Sequence, residues 1–135
     1  MTYIQFYILV SDKIEDRWHY AQRLVSQNLR SGKSVHIHTA CSRDTRTLIA
    51  QLEKNADNPV EQVFVDHKGE PEADRQVLIN LSEEVPHFFS SFEITLEVIH
   101  AEPNAKAVGR ERYRYYQERG YPLRHQDIQL ELAIS

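Results

Sequence analysis

The sequence predicts a three-layer α/β/α domain with its opening strand inside the sheet. Two observations carry this. Residues 3–10, YIQFYILV, form a nearly unbroken β-branched and aromatic run, as a strand covered on both faces requires. Short apolar runs then alternate with segments of helical period, β-α-β-α-β, the pattern that favours right-handed crossovers in an α/β fold.

Each element follows in order. After the opening strand, Asp12 and Glu15 match the spacing of a capping box and predict a helix start. Ile14, Trp18, Ala21, Val25 and Leu29 recur at helical spacing, and Leu24 widens the stripe. Gly32 stands where a left-handed residue would end that helix. Val35 to Thr39 reads as a second strand. Ser42 or Asp44 can cap a second helix whose buried face is Leu48, Ile49 and Leu52, and Asn55 to Pro59 breaks it. Residues 60–65, VEQVFV, read as a third strand, and DHKGEPEADR as a polar loop. VLINL at 77–81 is a fourth strand. Pro86 to Ser91 predicts an irregular turn or short helix. FEITLEVI at 92–99 alternates as a strand with one wetter face. Pro103 opens a long basic helix that Gly120 and Pro122 stop. The tail, with HQDIQLELAI, can add an edge strand or a terminal helix.

Length and composition narrow the class. One domain, 1–135, is expected, with enough chain to bury a core. A single cysteine, Cys41, excludes a disulfide framework and fits a reducing compartment. The first residues, MTYIQFYILVSDK, lack the basic start of a signal peptide, and their apolar run is too short to cross a bilayer. A cytoplasmic protein is expected. The net charge of -4 argues against broad nucleic-acid binding, which needs an extended basic surface.

Most motifs fail on inspection. Ser31-Gly32-Lys33-Ser34 imitates the end of a phosphate-binding loop, but the position that needs glycine is Gln27. Its order is also reversed, because a helix precedes it and a strand follows. It reads better as a helix C-cap with a solvated lysine. His36 and His38 share one strand face with Cys41 nearby, but a further metal ligand at customary spacing is missing. Cys41 has no evident base. Asp66, Glu70, Glu72, Asp74, Glu83 and Glu84 cluster near loops without forming an acid/base couple. No cofactor is expected, and a small hydrolase lacks a nucleophile–base set.

The basic helix stands out from this background. Between Lys106 and Arg124 six cations, Lys106, Arg110, Arg112, Arg114, Arg119 and Arg124, meet only Glu111 and Glu118. That surplus of +4 leaves -8 on the rest of the chain, whose net charge is -4. At roughly 100° per residue, Lys106, Arg110, Tyr113 and Arg114 fall in one narrow arc. Val108, Tyr115 and Tyr116 lie largely opposite and can face the sheet. An outer face of three cations around a tyrosine suits an anion carrying something flat or apolar. A solvated face with Arg114 paired to Glu118 is the plainer reading.

Several stretches, in this order, resemble the chi subunit family of bacterial DNA polymerase III. They are TYIQFYILV, LRSGKSVHIHT, VFVDH at 63–67, VLINL followed by FFSSFEITLEVI, and, most specifically, GRERYRYYQERGYPL at 109–123. The resemblance covers most of the chain. It implies a Rossmann-like α/β/α fold without a nucleotide site, and a non-catalytic adaptor of the clamp-loader assembly. Such an adaptor binds the psi subunit on one surface. On another it binds the acidic C-terminal tail of single-stranded DNA-binding protein, which ends in Pro-Phe with a free carboxylate. By position in the motif, Arg110 matches the family's tail-binding arginine. Tyr113, Arg114 and Lys106 match its neighbours, and Ile99 an apolar pocket residue. Phe64 matches the phenylalanine used for psi, on a surface that the resemblance also links to an XPD-like helicase. Two departures concern that surface. A tryptophan common near the end of the second helix is absent around Leu52 and Glu53, and the loop after His67 is short. The competing class is a direct single-stranded nucleic-acid binder using the basic and aromatic helix at 103–120, with arginines on phosphate and tyrosines stacked on bases. A footprint of one helical arc, within a chain otherwise at -8, disfavours it.

Overall fold

The computed structural model describes residues 1–54, 62–69 and 76–129. Six strands form one wholly parallel sheet in the order β3-β2-β4-β5-β1-β6. The strands are β1 (Tyr3–Leu9), β2 (Val35–His38), β3 (Val63–Asp66), β4 (Val77–Asn80), β5 (Ile94–Ile99) and β6 (Leu123–Ile128). The helices are α1 (Ile14–Arg30), α2 (Ser42–Glu53) and α3 (Pro103–Glu118). A short 3-10 turn spans Phe89–Ser91. Helices flank the sheet on both faces, so the expected three layers are present.

Each face has its own core, as strand alternation demands. Leu9, Val35, Ile37, Val77, Ile79, Leu96 and Val98 meet Ala21, Leu24 and Val25 of α1 and Leu48 of α2. On the opposite face Ile4, Phe6, Leu78 and Ile99 meet Phe88, Phe89, Phe92 and Tyr116 of α3. β1 lies inside the sheet, hydrogen-bonded to β5 and β6, with Ile4 and Phe6 each 2 % exposed. Gly32 and Gly120 take φ of 78° and 76°, so both stop their helices in the left-handed region that glycine tolerates.

Several expectations are corrected. Asp12 and Glu15 form no capping box: Lys13 is the N-cap of α1 and offers no side-chain bond. Ser11 instead orders the approach to α1, its Oγ accepting from the Lys13 amide and donating to the Asp16 carboxylate. Ile14 is exposed, and Arg17 takes its place on the buried stripe. Neither Ser42 nor Asp44 caps α2, whose N-cap is Cys41. Ile49 is 37 % exposed, which leaves Leu48 as the buried anchor of α2 with Leu52 half-buried. The third strand is Val63–Asp66, and residues 60 and 61 of the expected strand lie outside the described residues. The wetter face of β5 is not wet at all. Thr95 and Glu97 are fully buried there, because α3 and the 3-10 turn cover them. The tail supplies an edge strand, β6, parallel to β1.

Candidate functional site

α3 is positioned at its start, in its middle and from below. Beyond β5, the Ala101 amide donates to the Ser11 carbonyl at 2.7 Å and ties the helix start to the end of β1. Glu102 caps α3 by accepting from the amides of Asn104 and Ala105, both at 2.9 Å, and Pro103 takes the first helical turn. Those two amide donors hold the Glu102 carboxyl below its ordinary range. Midway, Gly109 lets α3 lie directly on Ile99. A Cβ there would sit 2.9 Å from Ile99 Cδ1, with two further atoms of that side chain at 3.2 and 3.3 Å.

Beneath α3, Arg112 is not one of the free cations. Its Nε donates to Glu97 Oε1 at 3.0 Å and its Nη1 to the Glu83 carbonyl at 3.0 Å. The other carboxylate oxygen of Glu97 accepts from Tyr116 Oη at 2.8 Å and Asn80 Nδ2 at 3.0 Å. Burial, and then the Glu97 charge, push the Tyr116 hydroxyl far above its ordinary value, so it stays a neutral donor. Arg17 of α1 braces the same region through the carbonyls of Val98 at 2.7 Å and of Leu81 and Ser82, both at 3.3 Å. Burial, with Arg112 nearby, lowers it to about 10, still cationic at neutral pH. Arg119 lies over the Tyr115 ring at 3.5 Å. Of the six cations in this stretch, two are therefore engaged within the protein.

A groove of about 400 Å³ lies where one flank of α3 meets the sheet beside β6. Phe6 and Ile8 of β1 and Ile99 of β5 give it an apolar lining. Lys106, Gly109, Arg110 and Tyr113 line it from α3, and His125 from β6. Tyr113 packs edge-on to Phe6, with ring centroids 5.0 Å apart. Lys106 and Arg110 are exposed, and no carboxylate among the described residues pairs with either. Nor does Arg114 form the ion pair with Glu118 that a solvated face would use. An apolar slot flanked by unpaired cations suits an anion attached to an apolar or aromatic group.

The structure therefore brings together Ile99, Lys106, Arg110 and Tyr113. Arg114 is exposed on α3 but does not line the groove. Phe64 stands apart on the edge strand β3 and is 44 % exposed, so it is no core residue. Sequence reasoning missed Phe6, Ile8, Gly109 and His125. Phe6 and Ile8 did carry a signal, since they alternate with Ile4, but they read simply as core. His125 carried none, because only the parallel register that sets it beside Phe6 brings it to the groove.

Comparison with known proteins settles the family. Residues 1–124 match the family profile described as DNA polymerase III chi subunit, HolC. The chain belongs to the DNA polymerase III chi subunit family. It is also 31 % identical, over 91 % of its length and 94 % of the relative's, to the DNA polymerase III subunit chi of Pseudomonas aeruginosa. The match includes all of α3 and ends one residue before His125. Membership places the chain with replication proteins. Among the described residues no helix is long and apolar enough to cross a membrane.

Proposed function

We propose that this chi-family chain is a non-catalytic, cytoplasmic adaptor of the DNA polymerase III holoenzyme. In this reading it joins the psi subunit, at the Phe64 edge, to the acidic C-terminal tail of single-stranded DNA-binding protein, in the groove beside α3. The observation that carries it is the apolar groove bordered by Arg110 and Lys106, neither paired with a carboxylate among the described residues. A terminal carboxylate wants guanidinium donors, and Arg suits bidentate pairing better than Lys. A terminal phenylalanine wants the slot formed by Phe6, Ile8 and Ile99. Aspartates upstream in the tail want a diffuse positive field, which Lys106, Arg114 and Arg124 supply. The contact is small, so affinity should be about micromolar, near -8 kcal/mol, and should weaken with salt.

The test pairs a substitution with a change in the ligand. A charge-assisted bond to a carboxylate contributes about 1.5–3 kcal/mol, so Arg110→Ala should weaken tail-peptide binding by roughly ten- to a hundredfold. Lys106→Ala and Arg114→Ala should cost less and mainly alter the salt dependence. Amidating the terminal carboxylate should hurt the wild type far more than Arg110→Ala, whose partner charge has already gone. Simple additivity of the two changes would remove Arg110 as the anchor.

A further inference from the structure

The groove has a wall that the basic helix does not supply. β6 runs parallel to β1 with His125 opposite Phe6, so the imidazole shares the face that Phe6 presents to α3. Its ring centroid lies 6.2 Å from that of Tyr113, edge-on, and the residue is exposed. A ligand seated on Phe6 and Ile8 lies between His125 on one side and Lys106 and Arg110 on the other.

The charged and titratable surroundings of His125 are few. Its own strand carries Arg124, opposite Gln5 on the other face, and Asp127, opposite Ile8 on the same face as His125, both exposed. β1 offers only Phe6 and Ile8 to the groove, and α3 offers Lys106, Arg110 and Tyr113. Among the described residues β6 is the sheet edge, with no strand beyond it. Lysine and arginine keep their charge at every physiological pH, whereas imidazole is the side chain that gains one between pH 8 and about pH 5. Aspartate and terminal carboxylates stay ionised over most of that interval.

We propose that His125 is an affinity-setting contact of this groove, whose protonation adds a third cation around an acidic C-terminal peptide and tightens binding as pH falls. This rests on the reading of the groove as a site for such a peptide. It goes beyond that reading by assigning a role to a residue outside the family match and by making the interaction pH-dependent. The expected size is that of one partly exposed ion pair, about two- to fivefold in Kd between pH 8 and pH 5.5.

The experiment measures binding of an acidic peptide ending in Pro-Phe with a free carboxylate, at fixed ionic strength from pH 8 to pH 5.5. The proteins are the full chain, His125→Gln, His125→Arg and Arg110→Ala. The wild type should tighten as pH falls. His125→Gln should be flat near the weak limit, and His125→Arg flat near the tight limit. Calorimetry in buffers of different ionisation enthalpy should show proton uptake on binding by the wild type that His125→Gln lacks, a signature that a merely structural role would not move. Binding that depends on Arg110 but is flat with pH, or a wild-type pH profile in His125→Gln, overturns the His125 assignment alone. Absence of Arg110-dependent binding at every pH overturns the groove reading and this inference together.

Discussion

On the α3 face of the sheet, the β6 end and the β3 end treat their polar groups in opposite ways. Around Glu97, beneath the middle of α3, the buried polar side chains are matched, although Nδ1 of His100 just beyond β5 is buried without a partner. Arg112, Tyr116 and Asn80 converge on the two oxygens of Glu97, and from α1, on the other face, Arg17 binds three backbone carbonyls at the strand ends. At the β3 end the cover is an aromatic turn. Phe88 packs against both His36 and His38, and Phe92 against His36. Both ring nitrogens of His36 are buried without a hydrogen-bond partner, as is Nδ1 of His38. One strand further out, Phe64 is opposite His36 in register and exposed. The matched network fixes the helix that carries the groove, and with it the positions of Arg110 and Tyr113, as the proposed peptide site requires. At the looser end no strand among the described residues pairs with the outer edge of β3, a surface suited to a protein partner.

The largest effect on stability should come from breaking the matched end. Arg112→Ala leaves Glu97 as a buried charge without its cation, and such a loss costs about 3–5 kcal/mol. Arg110→Ala, two residues away, removes an exposed side chain and should change stability by no more than about 0.5 kcal/mol. Urea denaturation of the two variants measures the contrast directly. Equal costs would mean that α3 is not held from below as described.

The second effect belongs to the unmatched end and appears as pH dependence. Burial, reinforced by His38, lowers His36 to about 4, and His38 is lowered for the same first reason. The unfolded chain, with imidazoles near the ordinary value, therefore binds more protons than the folded chain between about pH 6.5 and pH 4. Stability is complete above that window and falls as pH drops through it, by about 3 kcal/mol for His36. His36→Leu, which is neutral at every pH, should remove most of this acid limb. Unfolding free energies measured at pH 7.5 and pH 5 decide the matter, and equal values in the wild type would sink it.

The same contrast explains how much was legible in the sequence. The parallel α/β framework was, because a doubly covered strand must be apolar throughout, as YIQFYILV is, and because Gly32 and Gly120 stand where left-handed residues end helices. Lys106, Arg110 and Tyr113 were legible as well, since helical geometry puts them on one arc whatever lies beneath. Arg112 was legible only as one of six cations in the charge count, not as a buried partner. Charge alone does not reveal that Glu97, fifteen residues earlier, points back under the helix. Glu97 itself looked like the wet half of an alternating strand, because alternation gives the two faces but not what covers them. Phe6, Ile8 and His125 depend on which strands become neighbours, a long-range fact that local pattern does not hold.

The smallest effect on stability, and the sharpest separation of fold from function, should be at Phe64. Its exposed ring sits on an edge strand, so Phe64→Ala should alter the unfolding free energy by no more than about 0.5 kcal/mol. If the β3 edge is where psi docks, the same substitution should weaken capture of psi at least thirtyfold, as loss of a central aromatic anchor of about 2 kcal/mol or more does. Tail-peptide affinity should not change, because the groove is bordered by β6 at the opposite edge of the sheet. Co-purification with psi, peptide titration and thermal unfolding of one variant give all three readings. Retained psi capture would remove Phe64 from the interface. Loss of psi capture together with loss of peptide binding would mean that the two ends of the sheet are coupled, contrary to the independence that their separate packing implies.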